Sequence, residues 1–174
     1  MMRSSFIFLL ATLLMATSGC AKQGGPSHGS SAAATAPAIG QPAPSFSLKD
    51  IDGTPVSLAQ YKGKPVFINA FATWCPPCKL ELPGIVKAYP QYKGRVVFLG
   101  VDEQEDAELV MPFLKRFGIT YQVLLDPGSF TEAYQVDSLP WSFFIDSSGV
   151  VRKISRGFMT PEQLKDNLAA IDKG

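Results

Sequence analysis

The chain has 174 residues, 46% of them hydrophobic, which is enough for one domain with its own core. Sixteen Lys and Arg stand against 15 Asp and Glu, so the formal net charge is +1, and no basic block suggests a nucleic-acid partner. Three cysteines (Cys20, Cys75 and Cys78) are too few for a fold held by a disulfide framework.

Residues 1–20, "MMRSSFIFLLATLLMATSGC", place Arg3 before an apolar run over 6–16 and then turn small and polar. That is the order of a secretory signal. The run is well short of the roughly 20 apolar residues of a membrane-spanning helix. Ser18, Gly19 and Cys20 are similar to a bacterial lipobox, in which the cysteine is lipidated and becomes the mature N-terminus. Thr17 departs from the usual leucine, and Ala16, Thr17 and Ser18 also suit ordinary cleavage after Ser18. Either route exports the chain to the periplasmic side of a bacterial membrane. Disulfide chemistry is available there, and thiols stay reduced only with an electron supply.

Residues 21–45 are rich in Gly, Ser, Ala and Pro and have no apolar period, which predicts a flexible linker. Its span would be about 25–30 Å. His28, the single histidine, lies in this linker and is read as a solvated residue.

The folded domain is expected over 46–174. "FSLKDIDGTPVSL" predicts a hairpin around Asp52 and Gly53. "PVFINAF" (65–71) and "VVFLGV" (96–101) read as buried strands. A helix is expected over 80–89, kinked at Pro83. Val110, Phe113, Leu114 and Phe117 make an amphipathic helix stopped by Gly118, with Pro112 interrupting its start. "YQVLLD" is a short strand. "WSFFID" and "VVRKIS" flank a turn at Ser148 and Gly149. Thr160, Pro161 and Gln163 form a capping box that opens a last helix to about residue 171. Strands alternating with helices, then a hairpin and a helix, imply one α/β layered domain.

"NAFATWCPPCKLELP" (69–83) carries the chemistry. A structural zinc site takes four ligands and a catalytic one three, whereas two thiols and a distant histidine are present. A disulfide across two residues closes almost no loop and stabilises little. A redox dithiol explains the placement, since the pair sits where a buried strand ends and the next helix begins. The helix N-terminus offers partial positive charge and free N–H groups. These favour a thiolate at Cys75, an exposed nucleophile, with Cys78 one turn further in to resolve a mixed disulfide.

"INAFATWCPPCKLELP" resembles the active site of the TlpA-like branch of the thioredoxin superfamily, the extracytoplasmic thiol–disulfide oxidoreductases with a redoxin-type domain. The likeness extends through "GVDEQED", "ITYQVLLD", "LPWSFFIDSSGVV" and Gly157. It implies a thioredoxin-like fold: a central mixed sheet with helices on both faces, an N-terminal hairpin extension and a helix–strand insertion. It also implies that Cys75 attacks, that Cys78 resolves, and that Trp74, Pro76, Pro77 and Asn69 support the site. Pro140 would be a cis-proline beside the pair, where the residues alone suggest a trans proline at a strand entrance. The Leu139 backbone would pair with an extended substrate segment.

Thioredoxins carry a buried aspartate six residues before the first cysteine, and here Asn69 stands there. Glu81, three residues after Cys78, is then expected to tune or deprotonate that thiol; the alternative is a surface glutamate favoured by the helix dipole. Two positions depart from the family. Trp141 follows Pro140 in place of threonine, and Ala70 precedes Phe71 in place of an aromatic residue. Trp141 is either core or one wall of the substrate groove.

Pro76 and Pro77 have no N–H, so two candidate donors to the Cys75 thiolate are missing. Strong oxidants of the superfamily stabilise their reduced form, so this motif predicts a reductant. No cofactor is required. The expected partners are client proteins with disulfides, as in cytochrome c maturation, a membrane thiol electron donor, and the membrane itself through a lipid on Cys20. By the same resemblance, Ala21 leans toward outer-membrane sorting. The competing functions are a thiol peroxidase, a copper(I)-binding module of this fold, and a holdase for one client. Thr73 lies two residues before Cys75, not three as in the peroxidases.

Overall fold

The structure is a computed structural model and describes residues 36–172. The expected signal sequence, the Cys20 lipidation site and most of the expected linker lie outside the described residues. Among the described residues no helix is long and apolar enough to cross a membrane.

Seven strands form one mixed sheet in the order β2-β1-β5-β4-β3-β6-β7. The strands β3 (Val66–Phe71) and β4 (Val97–Glu103) are parallel and central, and every residue of β3 is buried. A strand covered on both faces needs no polar alternation, which is why "VFINAF" reads as a continuous apolar run. β5 (Gln122–Asp126) extends the parallel part, and β6 (Trp141–Ile145) and β7 (Val151–Arg156) close the other side antiparallel. The N-terminal hairpin of β1 (Ser47–Asp50) and β2 (Pro55–Ser57) pairs with β5 at the far edge.

One core lies between the sheet and three helices. These are α1 (Pro76–Tyr92), α2 (Ala107–Phe117) and α4 (Pro161–Asp172). The opposite face is covered by the hairpin and the short helix α3 (Ser129–Ala133), with Phe130, Tyr134, Trp141 and Phe143 packed together. The fold is thioredoxin-like, and α2 with β5 is the expected helix–strand insertion.

Several boundaries differ from expectation. α1 starts at Pro76, not at residue 80, because Cys75 caps it and both prolines occupy the first turn, where no N–H is needed. It also continues through Pro83 and Pro90. α2 begins at Ala107 and carries Pro112 inside; one backbone bond is forfeited, while Val110, Phe113 and Leu114 bury the face that holds the helix down. Gly118 ends it in the left-handed conformation, φ 69°.

The helix α3 had no counterpart in the sequence reading. Asp126 builds it, accepting from the N–H groups of Phe130 and Thr131, each at 2.8 Å. Ordered structure also begins before Phe46. The Gly40 N–H donates to the Val151 carbonyl at 2.8 Å and the Ala43 N–H to Gly149 at 2.9 Å, which satisfies the open edge of the β6–β7 turn.

Candidate active site

β3 ends at Phe71, and residues 72–74 turn the chain into α1. This turn is held by a carboxylate from the loop after β4. Glu105 accepts from the Thr73 N–H at 2.5 Å and from the Thr73 hydroxyl at 2.6 Å. Cys75 is the N-cap of α1 and is bonded to Cys78 in a disulfide. Pro76 and Pro77 fill the first two helical positions, so Cys78 supplies the first free N–H, which donates to Cys75 Sγ at 3.2 Å. The prolines therefore remove two donors and leave one aimed at the sulfur.

Cys75 is only 2% exposed, and Cys78 is fully buried. This corrects the expectation of an exposed nucleophile: both sulfurs belong to the α1–sheet core, and Leu139 packs against that core from the loop before β6. The Leu139–Pro140 peptide bond is cis. Trp74, by contrast, is 62% exposed and borders a surface groove with Glu103, Asp137 and Leu139. The larger surface hollow lies beside β1 and β5 and includes neither cysteine, so size alone does not locate the site.

Glu81 is not a surface glutamate. It is 4% exposed on the face of α1 that also buries Cys78, Leu82 and Ile85. Its two oxygens are engaged: Oε1 accepts from Asn69 Nδ2 at 2.7 Å and Oε2 from the Met159 N–H at 3.0 Å. Asn69 Nδ2 also donates to Ser142 Oγ on β6 at 3.1 Å. Burial pushes the Glu81 carboxyl up to about 7, against the opposing pull of the Asn69 and Met159 hydrogen bonds. The residue that replaces the thioredoxin aspartate thus holds a carboxyl supplied by the helix.

Trp141 is 2% exposed and lies in the opposite core with Phe143, which excludes it as a groove wall. Ala70 and Trp141 are register partners across β3 and β6. The two departures from the family pattern are therefore neighbours, and the indole occupies the side of the sheet where Ala70 leaves room. The Arg156 guanidinium covers the ring at 4.3 Å from its centroid.

The sequence reading missed Glu105, Asp102 and Ser142. Asp102 is buried beside Phe71 in the β3–β4 register, and neither of its oxygens has a hydrogen-bond partner. Burial, and then the Glu105 charge, push its carboxyl up to about 8. The acidic run "DEQED" was the only signal for the first two. Ser142 had none, because its role depends on pairing between distant strands.

Residues 38–171 match the Redoxin family model. This chain belongs to the redoxin family. The redoxin is 42% identical over 139 residues to the thiol-disulfide oxidoreductase ResA of Geobacillus thermodenitrificans, covering 79% of this chain and 80% of that one. It superposes on a thiol:disulfide interchange protein of the thioredoxin family from Chlorobium tepidum with TM-score 0.69 at 33% identity, over 79% of this chain and 99% of that one. A putative thiol:disulfide interchange protein DsbE of the same organism gives TM-score 0.73 at 28% identity, again over 79% and 99%. The redoxin is accordingly a thiol–disulfide oxidoreductase of the ResA/DsbE type, with Cys75 and Cys78 as its cysteine pair.

Proposed function

We propose that this redoxin is an exported reductant of client protein disulfides, with Cys75 as attacking and Cys78 as resolving cysteine. The observation that carries the reading is the buried Glu81 carboxyl held on the same helix face as Cys78. In the reduced protein the Cys75 thiolate attacks a client disulfide, forming a mixed disulfide and releasing one client thiolate. Glu81 takes the Cys78 thiol proton. The Cys78 thiolate then attacks Cys75 Sγ and expels the second client thiolate, leaving the protein oxidised. Two electrons pass to the client, and a membrane thiol donor restores the dithiol.

Direction follows from the helix start. One N–H faces Cys75 Sγ and Pro76 and Pro77 offer none, so the reduced form gains less stabilisation than in a strong oxidant. The client segment is read as lying along the Leu139 backbone in the groove bordered by Trp74. Cytochrome c maturation is the client pathway suggested by the resemblance of residues 68–83 to the TlpA-like branch.

Cys78→Ala tests the assignment. It should trap clients on Cys75 as mixed disulfides that dithiothreitol releases, whereas Cys75→Ala should trap none. Equal trapping by both variants would reverse or remove the assigned roles. Lipid anchoring is a separate proposal: incorporation of labelled fatty acid should disappear in Cys20→Ala, and labelling that persists would refute it.

A further inference from the structure

Tyr121, just before β5, is 5% exposed, yet its hydroxyl has no hydrogen-bond partner. An unpaired buried hydroxyl is costly. Its ring packs on Tyr89 and Phe98, with centroids at 5.6 and 6.0 Å. The Cε2 edge comes within 3.4 Å of where a Cβ on Gly100 would stand. Gly100 is the register partner of Asn69, so the missing side chain on β4 gives the ring room one strand away from Asn69. Passing from Phe98 to Gly100 leads toward the carboxyl end of β4, where the disulfide and Glu81 lie. The Tyr121 hydroxyl is pushed up by burial and then by the Glu81 charge, which agrees with this direction.

Ionised Glu81 is satisfied by two donors, Asn69 Nδ2 and the Met159 N–H. Protonated Glu81 needs an acceptor instead, and neither donor can be one. Asn69 is pinned, since its Nδ2 serves both Glu81 and Ser142. Among the described residues the buried side-chain polar atoms without partners are the Tyr121 hydroxyl, Asn69 Oδ1 and the two Asp102 oxygens; Asp102 pairs with Phe71, two residues along the strands from the Asn69 and Gly100 pair. We propose that Tyr121 is a positioning residue for the proton: its oxygen accepts the hydrogen bond of protonated Glu81, directly or across one water, and its own hydrogen goes to Asn69 Oδ1. No covalent bond changes at Tyr121; the proton that leaves Cys78 stays on Glu81.

The other titratable groups facing this space are few. α1 contributes Cys75, Cys78 and Tyr89, and β4 contributes Asp102 on the same face. The buried residues of α2 and α4 are all apolar. Lys79 of α1 and Lys165 of α4 are exposed.

The inference rests on Glu81 as the proton acceptor, and Tyr121→Phe tests it while keeping the ring contacts. The readout is the pH profile of Cys78-driven release of a chromogenic thiol from Cys75. Loss of the acceptor destabilises protonated Glu81, so the inflection should move to lower pH by roughly half a unit to one unit. Tyr121→Phe added to Glu81→Gln should leave the Glu81→Gln profile where it is. In difference infrared spectra the carboxylic C=O band lost in Glu81→Gln should shift to higher frequency in Tyr121→Phe. An unmoved inflection and band would overturn the proposal, as would a rise in melting temperature with neither shift. If Glu81→Gln itself keeps the wild-type profile, the Glu81 reading has failed first. If it changes the profile while Tyr121→Phe does not, only the Tyr121 role is lost.

Discussion

Glu81→Gln separates a catalytic carboxyl from a structural one. Burial raises the Glu81 carboxyl to about 7 from an ordinary 4.5, so near pH 7 about half the molecules hold an ionised carboxyl on the helix face that also buries Cys78. A positioned general base contributes on the order of 10²-fold at the low end, and half-ionisation leaves on the order of 50-fold. The variant should fold, because glutamine keeps the size of the side chain and one oxygen that can still accept from Asn69 Nδ2 or the Met159 N–H. The assay loads Cys75 with a chromogenic thiol and follows its release by Cys78 in stopped flow from pH 5 to 9. Wild type should speed up through an inflection near 7. Glu81→Gln should be about 50-fold slower at pH 7, with its inflection moved toward the ordinary cysteine value of about 8.5. An unchanged rate with an unchanged inflection would refute the reasoning.

Further outcomes follow from the same contacts. Between pH 4.5 and about 7 the folded state holds the Glu81 proton that the unfolded chain has lost, so the contribution of Glu81 to stability falls as pH rises through that window. The shift is worth about 3 kcal/mol, so oxidised wild type should lose up to that much more stability than Glu81→Gln between pH 4 and 8, by urea titration; parallel curves would contradict it. Trp141→Ala should cost about 3–5 kcal/mol by the same method, because the indole is core; a loss under 1 kcal/mol would show that it is not. Glu105→Gln replaces one acceptor of the Thr73 turn by a donor, and should lower stability by about 1 kcal/mol and slow exchange severalfold; wild-type values for both would dismiss the clamp.

The strands were legible because each is a short apolar run bounded by turn residues, and "VFINAF" needs no partner to be recognised. The cysteine pair was legible because residue type, spacing and a strand-to-helix junction coincide. Glu81 was half legible. Cys78, Glu81, Leu82 and Ile85 fall at i, i+3, i+4 and i+7, so a carboxylate stands inside an apolar stripe. Read as a stripe, that pattern buries Glu81 without any family resemblance. The Asn69–Ser142 bond and the Ala70–Trp141 pairing were out of reach, since both join strands more than 70 residues apart. Helix boundaries failed at the prolines for a different reason. Local propensity counts the lost hydrogen bond at Pro83 or Pro112, while the buried faces of α1 and α2 outweigh it.

The central claim is that a helix start stripped of two N–H donors makes Cys75 and Cys78 a reducing pair. Its most direct test is equilibration of the purified protein with glutathione redox buffers, read by thiol trapping of Cys75 and Cys78. The purified protein should have a potential nearer about −270 mV, the value for thioredoxin, than the roughly −120 mV of DsbA. A potential above roughly −180 mV would make the protein an oxidant and contradict it.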